Sequence, residues 1–190
     1  NIIRATEQKE LGITAGLQDR VIQVYEGLVY MDFDKKLMEK QGHGNYVELN
    51  PSILPNLYIA YRTDLSEMSD IFHNNIRARF EAGEKEIVDA MKYWADITDE
   101  GRDCLLSKDY EKLSELMNSN FDLRAKLYKL SEGNLRMVKV ARECGASAKF
   151  TGSGGAIVGI YKDEAMFELL KEQLGKYSVE VIKPKIVKSN

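Results

Sequence analysis

Hydrophobic positions along this chain change period several times, and the changes divide it into elements. Val21, Val24, Tyr25 and Leu28 follow one another at helical spacing, with Asp19 just ahead of them, so the spacing predicts a short helix that starts near Asp19. The run from Leu28 to Phe33 predicts a strand, and Tyr46 to Leu49 its partner across a loop containing Gly42 and Gly44. "NLYIAYR", after Pro55, predicts a third strand. From Ser66 the period is helical. Met68, Phe72, Ile76 and Phe80 recur up to a stop at Gly83, and Ile87, Met91, Ala95 and Thr98 continue into a second helix.

A third helix is predicted from near Lys108, with one stripe at Tyr110, Leu113, Met117 and Phe121 and another at Leu116, Leu123 and Leu127, which implies burial on more than one side. A fourth spans 134–144, with Leu135, Val138 and Ala141 on its apolar face and Gly145 as its stop. The C-terminal part reads as strand, Gly-rich turn, strand over 156–161, helix over 164–174 and a last strand around 179–182. Strands toward both ends with helices gathered between them predict an α+β sandwich.

Composition narrows the function classes. The 190 residues are 44% hydrophobic, enough for a real core, and the net charge of -3 with a pI near 5.6 gives no basic surface for nucleic acid or anionic lipid. A small molecule or a protein is the expected partner. Cys104 and Cys144 lack C-x-x-C spacing and a neighbouring His cluster, which argues against a disulfide framework or a zinc site. No apolar run approaches the length of a membrane span, and Arg4, Glu7, Lys9 and Glu10 interrupt the first residues, so a soluble, cytoplasmic protein is expected. The opening "NIIRATEQKELGITAG" lacks an initiator Met and starts as if inside an element, which suggests a piece of a longer chain.

Three places carry candidate chemistry. In "KFTGSGGAIVGIY", Gly152, Gly154 and Gly155 permit a tight backbone turn, and Ser153 adds a hydroxyl. No Gly-Lys-Ser/Thr follows, and a strand stands where a dinucleotide fingerprint requires a helix. The pattern alone leaves a phosphate cradle and a plain hairpin both open. Asp19, flanked by Gln18 and Arg20, is either an acidic residue favoured by the positive end of a helix or a carboxylate that takes or orients a substrate proton. Asn118 with Asp122, and His73 with Arg77, lie one turn apart on polar helix faces that are usually only solvated. Trp94 and the Met residues read as core, and His43 and His73 lack metal-ligand spacing.

Three stretches in order, "AGLQDRVIQVYEGLVYMDF", "DEGRDCLLSKDYEKLSELMNSNFDLR" and "VKVARECGASAKFTGSGGAIVGIY", resemble the C-terminal half of the GHMP-family small-molecule kinases, and within that family the glucuronokinases. The resemblance covers nearly the whole chain. It implies a GHMP kinase C-terminal, ferredoxin-like α/β sandwich over 56–190, preceded over 1–55 by the end of an N-terminal domain. It also implies a reaction: transfer of the ATP γ-phosphoryl group to the anomeric hydroxyl of D-glucuronate, with Mg²⁺. By position, Asp19 takes the catalytic role, Gln18 and Arg20 contact substrate, and Gly152, Ser153, Gly154 and Gly155 lie beside the triphosphate; no residue of this chain is assigned as a metal ligand.

A uronate carboxylate calls for a forked arginine, with Arg20, Arg62 and Arg77 as candidates and Arg20 favoured by its adjacency to Asp19. Two departures stand out. "VYEG" replaces a Tyr-Gly-Gly, and the family's main ATP loop does not occur in these residues. The resemblance therefore implies that the other half of the enzyme is a necessary partner and that this chain alone is inactive. Another GHMP sugar kinase, such as a heptose phosphate kinase, or a noncatalytic module of the same fold is the alternative.

Overall fold

The computed structural model describes residues 17–63 and 76–186. They fall into two compact units, one holding the described residues up to Ile53 together with 185 and 186, the other running from Leu54 to Pro184. The sequence places this division at 55/56.

The first unit begins with α1 (Gln18–Tyr25), followed by β1 (Leu28–Asp32), α2 (Lys35–Gln41) and β2 (Asn45–Leu49). β1 and β2 pair antiparallel, with Tyr30 opposite Val47. The connection predicted as a loop is therefore largely helical. Asp34 caps α2 by accepting from the Leu37 N–H at 2.9 Å, and Gly42 ends it in the left-handed conformation at φ +76°. Seven residues with few apolar positions give no readable stripe, so only these caps signal the helix.

The second unit contains β3 (Leu57–Tyr61), α3 (Lys85–Ser107), α4 (Tyr110–Leu127), α5 (Glu132–Glu143), β4 (Lys149–Phe150), β5 (Ala156–Ile160), α6 (Glu164–Gly175) and β6 (Glu180–Ile182). Its strands form one antiparallel sheet in the order β4-β5-β3-β6. Period-2 alternation puts Tyr58 and Ala60 of β3 on the buried face. Register then aligns Phe150, Ile157, Ala60 and Val181 as one row across the sheet, against which Phe121 of α4, Met137 and Ala141 of α5 and Leu170 and Leu174 of α6 pack. This is an α+β sandwich, as the sequence predicts.

One close approach fixes the register of β5. Gly159 lies opposite Tyr58, and a Cβ on it would stand 1.7 Å from the Ser147 carbonyl oxygen and 2.6 Å from the Tyr58 ring. The Tyr58 ring covers the glycine, and its hydroxyl donates to that same Ser147 carbonyl at 2.8 Å.

The helices depart from expectation in which positions they bury. On α3 the inward residues are Ile87, Ala90, Ile97, Gly101 and Cys104, while Ala95 and Thr98 face out, because a strict four-residue step drifts around a helix of 3.6 residues per turn. On α5 the buried face starts at Asn134 and Leu135 is exposed. A left-handed Lys108 and the N-cap Asp109 turn the chain between α3 and α4, and Ile97, Cys104 and Leu116 form a smaller core there with Trp94 and Leu113. Of the helix expected from Ser66, backbone 76–81 is helical with Ile76 buried; Met68, Phe72 and His73 lie outside the described residues. Cys104 and Cys144 are free and buried.

Candidate functional site

β4 and β5 pair antiparallel with Phe150 opposite Ile157, so residues 151–155 reverse the chain over a short span. The Thr151 N–H donates to the Ala156 carbonyl at 3.2 Å and closes the hairpin. Gly154 and Gly155 stand at φ +146° and +75°, backbone that a side chain disfavours. The root of the turn is held from two sides. The Gly155 N–H donates to Asn134 Oδ1 at 2.9 Å, and the Gly155 carbonyl accepts from the Arg62 N–H at 2.9 Å.

The tip differs from the root. The N–H groups of Gly152, Ser153 and Gly154 meet no acceptor among the described residues, and Gly152 is exposed, with open space where a Cβ would stand. A rigid root carrying successive unengaged N–H groups is the arrangement that receives an anion. Of the four positions singled out in the sequence, three supply such groups. Gly155 has its N–H committed to Asn134 and serves as the hinge.

Asn134 escaped the sequence reading. It lies in the first turn of α5, whose N-cap Ser131 accepts from the Asn134 N–H at 3.5 Å, and it is fully buried. Its signal is legible in retrospect: Asn134, Val138 and Ala141 share one helical stripe, and a lone amide on an apolar face has a specific partner when buried.

Lys149, two residues ahead of the turn, is half-buried. Its Nζ donates to the Phe150 carbonyl at 2.9 Å, and burial, with Arg124 adding a like charge, pulls its ammonium below the usual lysine range. Arg124 itself stacks over the Tyr128 and Phe150 rings at 5.1 and 5.3 Å.

Gln18, Asp19 and Arg20 stand together at the start of α1, in the other unit. Asp19 is in the first turn with its carboxylate 81% exposed, and Arg20 Nη1 approaches its Oδ2 at 3.5 Å. The Asp19 side chain makes no capping bond, since the N-cap is Leu17. Of the other arginines considered for a substrate carboxylate, Arg62 gives Nη1 to the Tyr177 carbonyl at 2.9 Å and Arg77 gives Nε to Glu81 at 2.8 Å.

Asn118 and Asp122, predicted as a solvated face, instead brace the fold. Asn118 Oδ1 accepts from the Ala148 N–H at 3.0 Å, and Arg142 bridges the Asp122 carboxylate at 2.6 Å and the Asn118 carbonyl at 3.0 Å. This joins α4 to α5 and to the entry of β4. Among the described residues no group of three or more His, Cys, Asp or Glu is placed to hold a metal ion, and no helix is long and apolar enough to cross a membrane.

Residues 102–179, from the last turns of α3 to the approach of β6, match the family model described as GHMP kinases C terminal. The chain carries a GHMP kinase C-terminal domain. Over 180 residues it is 46% identical to Glucuronokinase 1 of Arabidopsis thaliana, a match that covers 93% of this chain and 49% of that protein. Over 183 residues it is 45% identical to Probable glucuronokinase 2 of the same plant, covering 93% and 50%. The chain thus spans about half the length of the curated relatives it matches.

Among solved structures, L. major mevalonate kinase in complex with R-mevalonate superimposes with a TM-score of 0.70 at 17% identity, covering 94% of this chain and 56% of that one. Lactococcus lactis galactokinase complexed with galactose gives 0.68 at 14% identity, covering 98% and 58%. These likenesses show that the chain shares its fold with these two structures.

Proposed function

We propose that the protein to which this GHMP domain belongs is an ATP-dependent sugar 1-kinase that phosphorylates the anomeric hydroxyl of D-glucuronate. The observation that carries the sugar assignment is the identity of nearly half of all aligned residues with glucuronokinase sequences along 93% of the chain. The geometry supports the phosphate half of the reaction through the fixed root and open N–H groups of the 152–155 hairpin.

In the proposed reaction the anomeric oxygen of glucuronate attacks the γ-phosphorus of ATP, a new O–P bond forms, and the bond to the bridging oxygen breaks to release ADP. Asp19 accepts the hydroxyl proton, a task suited to an exposed carboxylate that makes no capping bond. Gln18 and Arg20 flank it and contact the sugar, Arg20 being the forked cation proposed for the uronate carboxylate. Gly152, Ser153 and Gly154 hold phosphate oxygens through their N–H groups, and Gly155 keeps the turn in shape. Mg²⁺ is proposed to arrive with the nucleotide, as the described residues offer it no ligand cluster. Phosphoryl transfer depends mostly on positioning and charge neutralisation, and the remaining half of the enzyme is proposed to supply the principal phosphate loop. A cytoplasmic setting suits a kinase that draws on ATP.

The test is to give the full-length protein ATP with D-glucuronate, D-galactose or a heptose phosphate and to follow the product by phosphorus NMR. An anomeric phosphate on glucuronate, with the other sugars turned over far more slowly, is expected. Preferential phosphorylation of another sugar would reassign the substrate, and no sugar-dependent ADP release would leave the domain a noncatalytic role.

A further inference from the structure

We infer that Asn134 is a positioning residue for the nucleotide: it sets the conformation of the 152–155 hairpin so that the tip N–H groups are oriented for triphosphate before any ligand arrives. The inference rests on the reading of that hairpin as a phosphate site. Three observations carry it.

First, Asn134 is fully buried and its Oδ1 accepts the Gly155 N–H at 2.9 Å, across 21 positions of sequence. A buried amide is retained at a cost unless its polar atoms are engaged, so this contact selects one hairpin geometry over others. Second, the contact falls where the backbone is least constrained by its own chemistry. Gly154 and Gly155 occupy φ values of +146° and +75°, a glycine pair has wide conformational freedom, and an external anchor is what reduces it. Third, the amide reaches beyond the hinge into the tip: Asn134 Nδ2 stands 3.0 Å from where a Gly154 Cβ would be. The same side chain thus holds Gly155 and abuts Gly154, while the Arg62 N–H holds the Gly155 carbonyl from the other side.

Pre-organisation of this kind acts on affinity for the charged part of the ligand. A hairpin that samples several shapes must be ordered when triphosphate binds, and the binding free energy is reduced by that ordering. Adenosine, which does not engage the tip, is insensitive to it.

The experiment titrates ATP, adenosine and inorganic tripolyphosphate into the full-length protein and its Asn134→Ala and Asn134→Leu variants. Asn134→Ala is expected to weaken ATP and tripolyphosphate about tenfold or more, the range for losing one buried hydrogen bond, while adenosine changes less than about twofold. Asn134→Leu keeps the branched shape in this buried position and carries no charge, but removes the acceptor for Gly155. It fills the space that Ala leaves empty and is expected to fold and still lose ATP and tripolyphosphate affinity selectively, so it carries the test if the Ala variant does not fold.

An Asn134→Leu protein that binds ATP as tightly as the parent, or variants that lose ATP and adenosine affinity equally, would overturn the inference. If the unmodified protein prefers ATP strongly over adenosine and both variants retain that preference, the hairpin reading stands and the role of Asn134 falls. Failure of tripolyphosphate to bind the unmodified protein, with ATP and adenosine bound alike, would remove the hairpin reading itself and the inference with it.

Discussion

At the scale of single residues, the candidate groups differ in how firmly the chain holds them. Gly155, Arg62, Arg77, Asn118 and Asp122 are bonded to other elements or turns, whereas Asp19 presents a largely exposed carboxylate with the adjacent Arg20 at 3.5 Å, and Gly152 to Gly154 present open N–H groups. Asp19→Asn preserves shape and removes the proton acceptor. In the full-length protein it is expected to lower kcat by about 10² to 10⁴, with the nucleotide affinity and melting temperature close to the parent's. Steady-state kinetics beside a melting curve checks this, and an unchanged kcat would return Asp19 to the helix-start role. Asp19 and the glycines were legible in sequence as candidates because each sits in a short local motif. For Asn134 the sequence shows a lone amide on an apolar stripe but not its partner, a contact 21 residues away that only the packing of α5 against the hairpin creates.

Among elements, the sheet was the most legible part, because period-2 alternation in "NLYIAYR" and "AIVGIY" survives into the buried row of Phe150, Ile157, Ala60 and Val181. The helices were legible as helices but less so in their faces. On α3 Ile87 is buried as expected but the stripe then shifts to Ala90 and Ile97, and on α5 Val138 and Ala141 are buried as expected while Asn134 is buried in place of Leu135, since apolar residues near the boundary of a face do not reveal which side tertiary contacts will cover.

The pairing of β3 with β5 also carries a pH signature. Burial, reinforced by the nearby Cys144, pushes the Tyr58 phenol well above the ordinary tyrosine value, while Arg142 opposes the shift. Unfolded Tyr58 loses its proton near pH 10 and the folded form keeps it to higher pH, so the contribution is complete below about pH 10 and declines as pH rises further. Tyr58→Phe leaves the buried Ser147 carbonyl without its donor and is expected to cost about 1 to 3 kcal/mol at neutral pH. Urea unfolding of parent and variant at pH 8 and pH 11 should show that gap narrowing at the higher pH. A gap of constant size would mean that the phenol is not held neutral by the core.

For the molecule as a whole, Asp19 belongs to one compact unit and the glycine hairpin to the other. The family resemblance was legible because its motifs are local, while the difference within the hairpin, with the Gly155 N–H bonded to Asn134 and the N–H groups of residues 152–154 open, emerges only from the fold. The proposed role of residues 152–154 is to hold the phosphates of ATP. Labelling the full-length protein with ¹⁵N-glycine and recording its amide resonances free, with adenosine and with ATP tests it most directly. The Gly152 and Gly154 resonances are expected to move on saturation with ATP and to stay in place with adenosine, while the Gly155 amide, bonded to Asn134, is expected to exchange slowly in all three states. Gly152 and Gly154 resonances that remain unmoved at saturating ATP, or that adenosine moves equally, would contradict it.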